Sequence, residues 1–527
     1  MTYKANPTVV HNLKISGDYR IDTLIFDADT RWNVGSAVGS AVELTYSLMS
    51  KVPSYGGNES KTDSGFYTFT SAQENGLKLV LAEIAAAAKV QFKAVPDTDT
   101  SQLRFGANDQ KNSSGYANPP PVSLKETSSK DYLLAGDVWM DNSSSWQGGI
   151  VTPGTDNYVT LLHETLHALG LKHPGNYNAG EEAAAIDQNT NILGALEDNL
   201  NYTIMSYIDA PESLAAGMME GEVVRYNMGI YDLLALNYLY GRGNPNPGNT
   251  TYKVDNSWGT YLRTLDDASG INSIVLSDLT VGAKLNLMPG AFSSVGTYAN
   301  GKAAVQNLSI SFGTLIQNAT GTSLADTIVG NDAANVLQGA AGDDVLNGGA
   351  GTDIAVFVDQ YANYTLKANG NAWEVSTLKA DGKDTLQNIE RLQFADKFLA
   401  LDVNGAAGVT AKVIGAVLGK TQVLNPSYMG IGLSYVDKGM SYADLGALAL
   451  SAVGAVGNDA VVSTLWRNVV GFEATAEQKA PYIKMLAEGM KAGDLVVLAA
   501  DTPFNTNNIN LVGLAQTGIE YLPVVES

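Results

Sequence analysis

The sequence predicts a multidomain α+β protein, because three regions of the chain differ in their residue patterns. Residues 1–245 mix helical and strand periodicities, and residues 246–400 hold short strands separated by Gly, Asn and Asp. Residues 401–527 return to Ala, Leu, Val and Met at helical spacing. A chain of 527 residues is long for one domain. We therefore predict three domains with these bounds: a mixed α/β domain, a parallel β-roll and a mostly helical domain.

Local start and stop signals place the elements of the first and last regions. A capping-box pattern, Ser71-Ala72-Gln73-Glu74, predicts a helix whose apolar stripe runs through Leu77, Leu81, Ile84 and Ala88. Short alternating runs at 90–95, 103–105 and 137–140 predict strands of one small sheet. The Gly- and Pro-rich stretch at 241–248 predicts a boundary, and the patterns beginning at Ser441 and Thr475 predict helix starts.

Composition excludes several classes of protein. The formal net charge of −22 argues against a nucleic-acid partner, because binding phosphate requires clustered Lys and Arg. The chain has no cysteine, which excludes disulfides, thiol catalysis and cysteine–zinc sites. The first residues lack the apolar segment of a Sec-type signal peptide, and the small apolar run at 445–457 is too short to span a bilayer. We therefore expect no membrane insertion, and either a cytoplasmic protein or an unusual export route.

An internal repeat of nine residues lies in the middle region. Gly321, Gly330, Gly339 and Gly348 mark its period, and a carboxylate or amide follows each glycine by five residues. This period is typical of a calcium-binding parallel β-roll, in which six residues form a turn and three form a strand. The plainer alternative is a turn-rich sequence in an ordinary β-domain, which four repeats in register disfavour.

The predicted calcium ions lie between turns eighteen residues apart, with Asp326 paired to Asp344 and Asn335 paired to Asp353. The predicted ligands of the first site are Thr322, Leu324, Asp326, Gly339, Ala341 and Asp344. Those of the second site are Asn331, Ala333, Asn335, Gly348, Ala350 and Asp353. The amide of Asn335 departs from the carboxylate pattern, so we expect the second site to be weaker.

A histidine-rich segment in the first region has the spacing of a catalytic metal site. His163 and His167 lie four residues apart on one helical face, and Glu164 follows the first of them. Gly170 permits a left-handed turn that carries His173 to the same point. Three protein ligands leave a position open for water, as catalytic zinc requires. A helix with chance histidines is the alternative, but three of the four histidines of the chain lie here.

This segment resembles the metzincin clan, and the following residues from Pro174 to Gly180 resemble its serralysin family. The string Ile204-Met205-Ser206-Tyr207 matches the Met-turn of these enzymes. The resemblance implies a metzincin-like catalytic domain with one catalytic zinc ion, Met205 as an apolar floor beneath it, and Tyr207 as a further zinc ligand that can stabilise the oxyanion. Glu164 would be the general base.

The same resemblance extends through residues 312–314 and 384–392 of the roll. It also implies an upstream calcium site that carries aspartates in the family, whereas Asn249 and Asn272 occupy those places here. An extended substrate would pair with a sheet edge, for which we considered Tyr116-Ala117-Asn118 or Val138-Trp139-Met140.

Function follows as an expectation from these patterns. We expect a secreted, extracellular zinc endopeptidase that is stabilised by several calcium ions, acts on proteins or peptides, leaves the cell through a type I secretion machinery and is a monomer. The helical region at 401–527 is an addition to the family pattern, for secretion, attachment or stability. The second hypothesis is a non-enzymatic calcium-repeat surface protein or adhesin with a vestigial protease fold, which the intact Glu164 disfavours.

Overall fold

The computed structural model describes residues 11, 14–55, 64–111, 113–121, 130–175, 177, 191–370, 372–379 and 381–524. Its contacts divide the chain into two compact units, residues 1–316 and 317–527. The predicted N-terminal segment and most of the 176–180 segment lie outside the described residues. The three-domain division at residues 245 and 400 stays a prediction.

The first unit is built on a five-stranded sheet with the order β2-β1-β3-β5-β4, in which β4 is the antiparallel edge strand and the others run parallel. Its helices are α1 (Tyr19–Asp22), α2 (Ser71–Ala87), α3 (Lys130–Leu134), α4 (Ser144–Gly148), α5 (Asp156–Ala168), α6 (Pro211–Ala215) and α7 (Ile230–Tyr240). The sheet strands are β1 (Val42–Leu48), β2 (Val90–Ala94), β3 (Leu103–Asn108), β4 (Gly115–Ala117) and β5 (Asp137–Asp141). The three predicted strands are confirmed.

The capping box of α2 is one residue earlier than we predicted. Thr70 is the N-cap: its hydroxyl accepts from the backbone N–H of Gln73, and the Gln73 side chain accepts from the N–H of Thr70. Gln73 is buried, and its amide donates to the carbonyl of Trp146 at 2.8 Å. This tertiary contact fixes the register of the cap, which the sequence pattern had placed at Ser71. Ala88 is not helical but begins the extended connection to β2.

Helix α7 ends at Tyr240, and its C-cap is Gly241, the first residue of the predicted boundary at 241–248. Short strands then complete the first unit. They are β6 (Thr251–Lys253), β7 (Arg263–Leu265), β8 (Ser273–Val275), β9 (Lys284–Asn286), β10 (Phe292–Ser293) and β11 (Leu308–Ile310). Within this unit β6 pairs with β8 and β7 with β11, both in parallel.

The second unit begins with the predicted repeat. Its strands are β12 (Asn318–Thr320), β13 (Thr327–Val329), β14 (Val336–Gln338), β15 (Val345–Asn347) and β16 (Ile354–Val356). Strands eighteen residues apart pair in parallel, with Ala319 opposite Leu337 and Ile328 opposite Leu346. The central residue of each strand is buried because strand side chains alternate between faces. The predicted stacking of alternate repeats is confirmed.

The rest of the second unit is a strand meander followed by helices. The strands are β17 (Thr365–Asn369), β18 (Ala372–Ser376), β19 (Lys383–Gln387), β20 (Arg391–Gln393), β21 (Phe398–Ala400) and β22 (Ile519–Tyr521). The helices are α8 (Ala406–Val417), α9 (Pro426–Asp437), α10 (Tyr442–Ala452), α11 (Asn458–Val470), α12 (Ala476–Ala487), α13 (Ala492–Ala500), α14 (Pro503–Asn508) and α15 (Leu511–Thr517). Ser441 and Thr475 cap α10 and α12, as predicted.

The helical region returns to the roll at its end, because β22 pairs antiparallel with β21. Among the described residues, every helix is too short or too polar to cross a bilayer.

Candidate metal centre

Helix α5 carries the first two histidines on one face. Thr155 caps its N-terminus by accepting from the N–H of Tyr158, and Asp156 in the first turn suits the positive end of the helix dipole. Leu161, Leu162 and Leu166 are fully buried and bind the helix to the core. This packing fixes the rotation of α5, so that His163 and His167 project together, one turn apart.

Gly170 reverses the chain directly after α5. Its φ is +103°, a left-handed conformation that favours glycine, and a Cβ here would lie 2.4 Å from the carbonyl oxygen of Thr30. The N–H groups of Gly170 and Leu171 bond the last helical carbonyls, and the N–H of Lys172 then pairs with the carbonyl of Leu24 at 2.7 Å. The turn therefore delivers His173 to the histidine face of α5.

The three imidazoles converge on one point. The Nε2 atom of His173 lies 3.2 Å from that of His163 and 3.0 Å from that of His167. Each Nδ1 faces a backbone carbonyl: His163 faces Ile204 at 2.8 Å, His167 faces Leu171 at 2.8 Å, and His173 faces Tyr177 at 3.0 Å. A carbonyl only accepts, so each Nδ1 carries the proton and each Nε2 presents a lone pair.

Three neutral rings with lone pairs aimed at one point fit a divalent cation. Burial lowers the pKa of His163 to about 4 and that of His167 well below its usual value, so both rings stay unprotonated near neutrality. Within the described part of the chain, these three residues are the group of His, Asp and Glu whose donor atoms lie close enough to share a metal. The donor set suits zinc.

We expect the substitution Gly170→Ala to destabilise the first unit by at least about 2 kcal/mol, because the new Cβ meets a carbonyl and the backbone conformation is strained. Urea unfolding measures the loss. Gly148→Ala is the matched control, because its Cβ would meet open space. Equal midpoints for the two variants would contradict the role we give to this turn.

Glu164 lies beneath the edge strand of the sheet. Its side chain is 5% exposed, and burial raises its pKa to about 8. The absent side chain of Gly115 on β4 makes room for it, since a Cβ there would approach the Glu164 Cγ to 2.7 Å. Together with His163 and Tyr207, Glu164 lines a cleft of about 600 Å³. Glu164 therefore shares this cleft with the first of the three histidines and with Tyr207.

The predicted Met-turn lies on the other side of the histidines. Met205 is fully buried. The ring of Tyr207 is 4.5 Å from that of His173 and 5.7 Å from that of His163, measured between centroids. The preceding residue, Ile204, provides the carbonyl that faces His163. Its own N–H donates to the buried carboxylate of Asp232 at 2.8 Å.

One of the two candidate substrate edges is wrong. Val138, Trp139 and Met140 lie on β5, which is bonded on both sides by β3 and β4, and they are at most 1% exposed. The alternating pattern of a strand does not encode its place in the sheet order, so the sequence could not choose. The other candidate, Tyr116-Ala117-Asn118, begins on the edge strand β4.

The repeat turns of the second unit bring the predicted acidic side chains together in two columns. The backbone N–H of Asp326 donates to Asp344 Oδ1 at 2.8 Å, and the N–H of Asn335 donates to Asp353 Oδ1 at 2.7 Å. Among the described residues, the other carboxylate oxygens of Asp344 and Asp353 are buried without a hydrogen-bond partner. Burial raises the pKa of both groups to about 7. Such orphaned oxygens fit a hard cation.

The turn backbones surround these oxygens closely. A Cβ at Gly321 or Gly330 would lie 2.4 Å or 2.1 Å from the carbonyl oxygen of Gly339 or Gly348, respectively. A Cβ at Gly342 would lie 2.6 Å from the backbone of Leu324, and one at Gly351 would lie 3.0 Å from the backbone of Ala333. Thr322, Ala341, Asn331 and Ala350 lie in the same four turns, and the N–H of Ala350 donates to the carbonyl of Asn331 at 3.2 Å.

Two acidic residues that sequence reasoning missed extend the columns. Asp384 Oδ1 accepts from the N–H of Asp344 at 3.0 Å, and Glu390 Oε2 accepts from the N–H of Asp353 at 2.9 Å. Both lie beyond the nine-residue period, after the β17–β18 hairpin. A signal existed, because Asp384-Thr385-Leu386 repeats the Asp-x-Leu pattern of Asp344-Val345-Leu346.

Asparagine amides stand at three positions where the sequence patterns predict acidic calcium ligands. The Asn335 side chain is buried, its Oδ1 accepts from the N–H of Asn331 at 2.8 Å, and its Nδ2 donates to the carbonyl of Gln317 at 3.0 Å. In the first unit, Asn272 Nδ2 donates to the carbonyl of Leu315 at 3.0 Å, and Asn249 Oδ1 accepts from the N–H of Ile271 at 2.9 Å. The amides of Asn335 and Asn272 donate where a carboxylate could only accept.

We expect Asn335→Asp to lower the stability of the second unit in chelator by about 1–3 kcal/mol, because a carboxylate oxygen would face the Gln317 carbonyl. Thermal unfolding with and without calcium measures the change, and calcium should recover part of it. Asn369→Asp is the control, because Asn369 is an exposed residue at the end of β17. An unchanged melting temperature in chelator would show that the hydrogen bond from the Asn335 amide to the Gln317 carbonyl contributes little to stability.

Comparison with known proteins identifies the repeat and gives metalloprotease relatives. The family described as the RTX calcium-binding nonapeptide repeat (4 copies) matches residues 320–355. The chain is 32% identical over 316 residues to "Serralysin B" of Dickeya chrysanthemi, which covers 57% of this chain and 61% of that protein. It is 31% identical over 308 residues to "Metallopeptidase AprA" of Pseudomonas marginalis, with 55% and 60% covered.

A third relative, "Serralysin" of Proteus mirabilis, is 28% identical over 354 residues, with 61% of this chain and 66% of that protein covered. The chain thus spans between 60% and 66% of the length of these relatives. The relatives are metalloproteases by name, the metal-compatible histidines lie in one unit, and the calcium-binding repeats lie in the other. This chain is similar to the serralysin metalloproteases over 55–61% of its length, carries RTX calcium-binding repeats, and has a helical region at residues 406–517.

Proposed function

We propose that this chain is a secreted zinc endopeptidase that hydrolyses peptide bonds of extracellular proteins and is stabilised by calcium. The observation that carries the proposal is the convergence of three imidazoles, in which His173 Nε2 lies within hydrogen-bonding distance of the Nε2 atoms of both His163 and His167. Because each Nδ1 faces a carbonyl and carries a proton, each Nε2 presents a lone pair when the ring is neutral. The cleft beside them, with Glu164 on its wall, provides the space for a substrate.

The residues of the cleft divide the reaction between them. Zinc, when bound to the three histidines, would polarise the scissile carbonyl and make water more acidic. Glu164 takes the proton of the attacking water and delivers it to the leaving amine. Tyr207, whose ring packs against His173 and His163, donates its phenolic hydrogen to the developing oxyanion. Met205 forms the apolar floor beneath the metal.

The substrate backbone pairs with β4, the edge of the five-stranded sheet. An unpaired edge offers N–H and C=O groups to an extended peptide, and Gly115 on this strand lies directly against Glu164. The edge and the general base are thereby held at a fixed separation.

Calcium would occupy the two columns of the roll. The first column would use Asp326, Asp344 and Asp384, and the second would use Asn335, Asp353 and Glu390, with carbonyls of the intervening turns. Ligand binding stabilises a fold in proportion to the free ion concentration. A chain of this design folds after it leaves a calcium-poor cytosol, which supports export through a type I machinery.

Hydrolysis of casein by the purified full chain tests this proposal. We expect activity with added zinc and calcium, loss of activity in a zinc chelator, and recovery on adding zinc back. Cleavage products mapped by mass spectrometry should show internal peptide bonds. A zinc-loaded, calcium-loaded protein that cleaves no peptide bond would overturn the enzymatic proposal and favour a non-enzymatic calcium-repeat surface protein.

A further inference from the structure

A buried carboxylate connects two parts of the metal centre that come from different segments of the chain. We propose that Asp198 is a positioning residue that holds both His173 and Tyr207 in place, the first through Tyr177 and the second through Ser206. This inference rests on the proposed function, and it assigns a role to a residue that touches none of the reacting atoms.

Asp198 is 0% exposed and accepts two hydroxyl hydrogen bonds on the same oxygen. Tyr177 Oη and Ser206 Oγ each donate to Asp198 Oδ1 at 2.7 Å. The second oxygen, Oδ2, is buried without a hydrogen-bond partner among the described residues. Burying a carboxylate with so few partners costs free energy. Neutral side chains would be enough to hold the two segments together, so the use of a buried carboxylate points to a further role for Asp198.

The first branch leads to the third histidine. Tyr177 donates its hydroxyl to Asp198, and its carbonyl oxygen faces His173 Nδ1 at 3.0 Å. The Tyr177 ring also stacks on that of His173, with centroids 5.8 Å apart and planes 23° apart. The space at Gly175 permits this arrangement, because a Cβ there would lie 1.9 Å from the Tyr177 ring. Fixing both ends of Tyr177 fixes the orientation of the His173 imidazole.

The second branch leads to the Met-turn. Ser206 donates its hydroxyl to Asp198 and accepts from the backbone N–H of Ile208 at 3.1 Å. Tyr207 lies between these two residues, and its ring packs against those of Tyr177 and His173 at 5.3 Å and 4.5 Å. Holding the backbone on both sides of Tyr207 limits the positions that its phenol can reach.

A parallel arrangement holds the first histidine. The buried Asp232 accepts from the N–H of Ile204 at 2.8 Å, and the carbonyl of Ile204 faces His163 Nδ1. His163 and His173 are thus each connected to a buried carboxylate through a single intervening residue, Ile204 for the first and Tyr177 for the second. Groups that orient a metal-binding ring in this way typically change metal affinity or activity about 10- to 100-fold when removed.

Single substitutions separate the two branches. We expect Tyr177→Phe to weaken zinc binding about tenfold, because it frees the residue whose carbonyl orients His173. Ser206→Ala should lower kcat about tenfold at unchanged KM and change zinc affinity less than Tyr177→Phe does, because Ser206 holds the backbone beside Tyr207 and contacts Tyr177 Oη only at 3.3 Å. Asp198→Ala should show both effects, and Asp198→Asn should recover part of each, since its Oδ1 still accepts two hydroxyls.

Zinc affinity is measured by competition with a chromophoric chelator, and kcat and KM are measured with a fluorogenic peptide, on the full chain in calcium. Asp22→Ala is the matched control. Asp22 is also 0% exposed, and within the described part of the chain its carboxylate bonds Ser16 and Ile15 and lies 3.6 Å from His11. We expect this variant to lower the melting temperature without a selective change in zinc affinity or kcat.

Equal zinc affinity and kcat in Asp198→Ala and Asp22→Ala would overturn the inference. If Asp198→Ala does not fold, Tyr177→Phe and Ser206→Ala decide, because each removes a single oxygen; no effect of either on zinc affinity or kcat would also overturn it. The zinc measurement needs no turnover. A protein that binds zinc but cleaves no peptide would therefore refute the proposed function, while the affinities of the variants still judge the His173 branch.

Discussion

Glu164→Gln is expected to lower kcat for peptide hydrolysis by about 10²- to 10⁴-fold, while zinc affinity stays within about twofold of the unmodified protein. The side chain keeps its size and its place beneath Gly115, but an amide cannot accept the proton of the attacking water. The measurement is kcat with a fluorogenic peptide, together with zinc affinity by chelator competition. The separation of the two quantities is what distinguishes a general base from a metal ligand.

Glu83→Gln is the matched control for this experiment. Glu83 is also a buried carboxyl of the first unit, accepting from Tyr158 Oη at 2.6 Å and from the N–H of Met228 at 2.8 Å, and burial raises its pKa to about 7. It lies outside the lining of the cleft. We expect that variant to lose stability but to keep kcat within a few-fold. A Glu164→Gln protein as active as Glu83→Gln would remove Glu164 from the mechanism.

Calcium is expected to reverse the sign of the pH dependence of stability in the second unit. Without calcium, burial raises the folded-state pKa of Asp344 and Asp353 to about 7 and that of Asp384 to about 8. A raised pKa in the folded state contributes stability that is complete below the unfolded value, near 4, and is lost as the pH rises through 7–8. The calcium-free roll should therefore melt at a lower temperature at pH 8.5 than at pH 5.5.

Calcium binding requires the same carboxylates in their charged form. Its affinity should rise with pH up to about 7–8, by up to about tenfold per pH unit for each proton displaced. One site at a free calcium concentration a thousandfold above its Kd adds about 4 kcal/mol. That corresponds to an increase of roughly 10 °C in the melting temperature of a unit of this size.

Differential scanning calorimetry at pH 5.5, 7 and 8.5, in calcium and in chelator, measures the melting temperature of the second unit and so tests whether calcium reverses its pH dependence. The calcium-loaded second unit should be most stable at the higher pH values, and the calcium-free unit at the lowest. Melting curves that shift with pH in the same direction under both conditions would show that these three carboxylates are not the calcium ligands. The transition of the first unit serves as the internal reference.

Much of the candidate site could be predicted because its information is local. The segment from His163 to His173 is short and continuous in sequence. Helical spacing and the turn at Gly170 are enough to bring its imidazoles together. The nine-residue period likewise forces alternate repeats to stack, so the pairing of Ile328 with Leu346 followed from counting. Capping residues predicted helix starts at Ser441 and Thr475 for the same reason.

Other features depend on contacts between distant segments and were missed or wrong. The register of α2 is fixed by the bond from Gln73 to Trp146, and the sheet order makes β4 rather than β5 the edge. Asp384 and Glu390 reach the acidic columns only because the β17–β18 hairpin folds out of the roll and returns in register. Neither periodicity nor propensity encodes such returns.

By itself, the sequence predicted the three converging histidines, the stacking of the repeats and the position of the helical region, because short-range geometry governs all three. Only the tertiary structure decided which strand lies at the sheet edge, which distant acidic residues join the repeat columns and which buried carboxylate bonds both Tyr177 and Ser206. The physical reason is that these features depend on side chains brought within about 3 Å of each other from separate segments, and such proximity is set by packing of the whole unit.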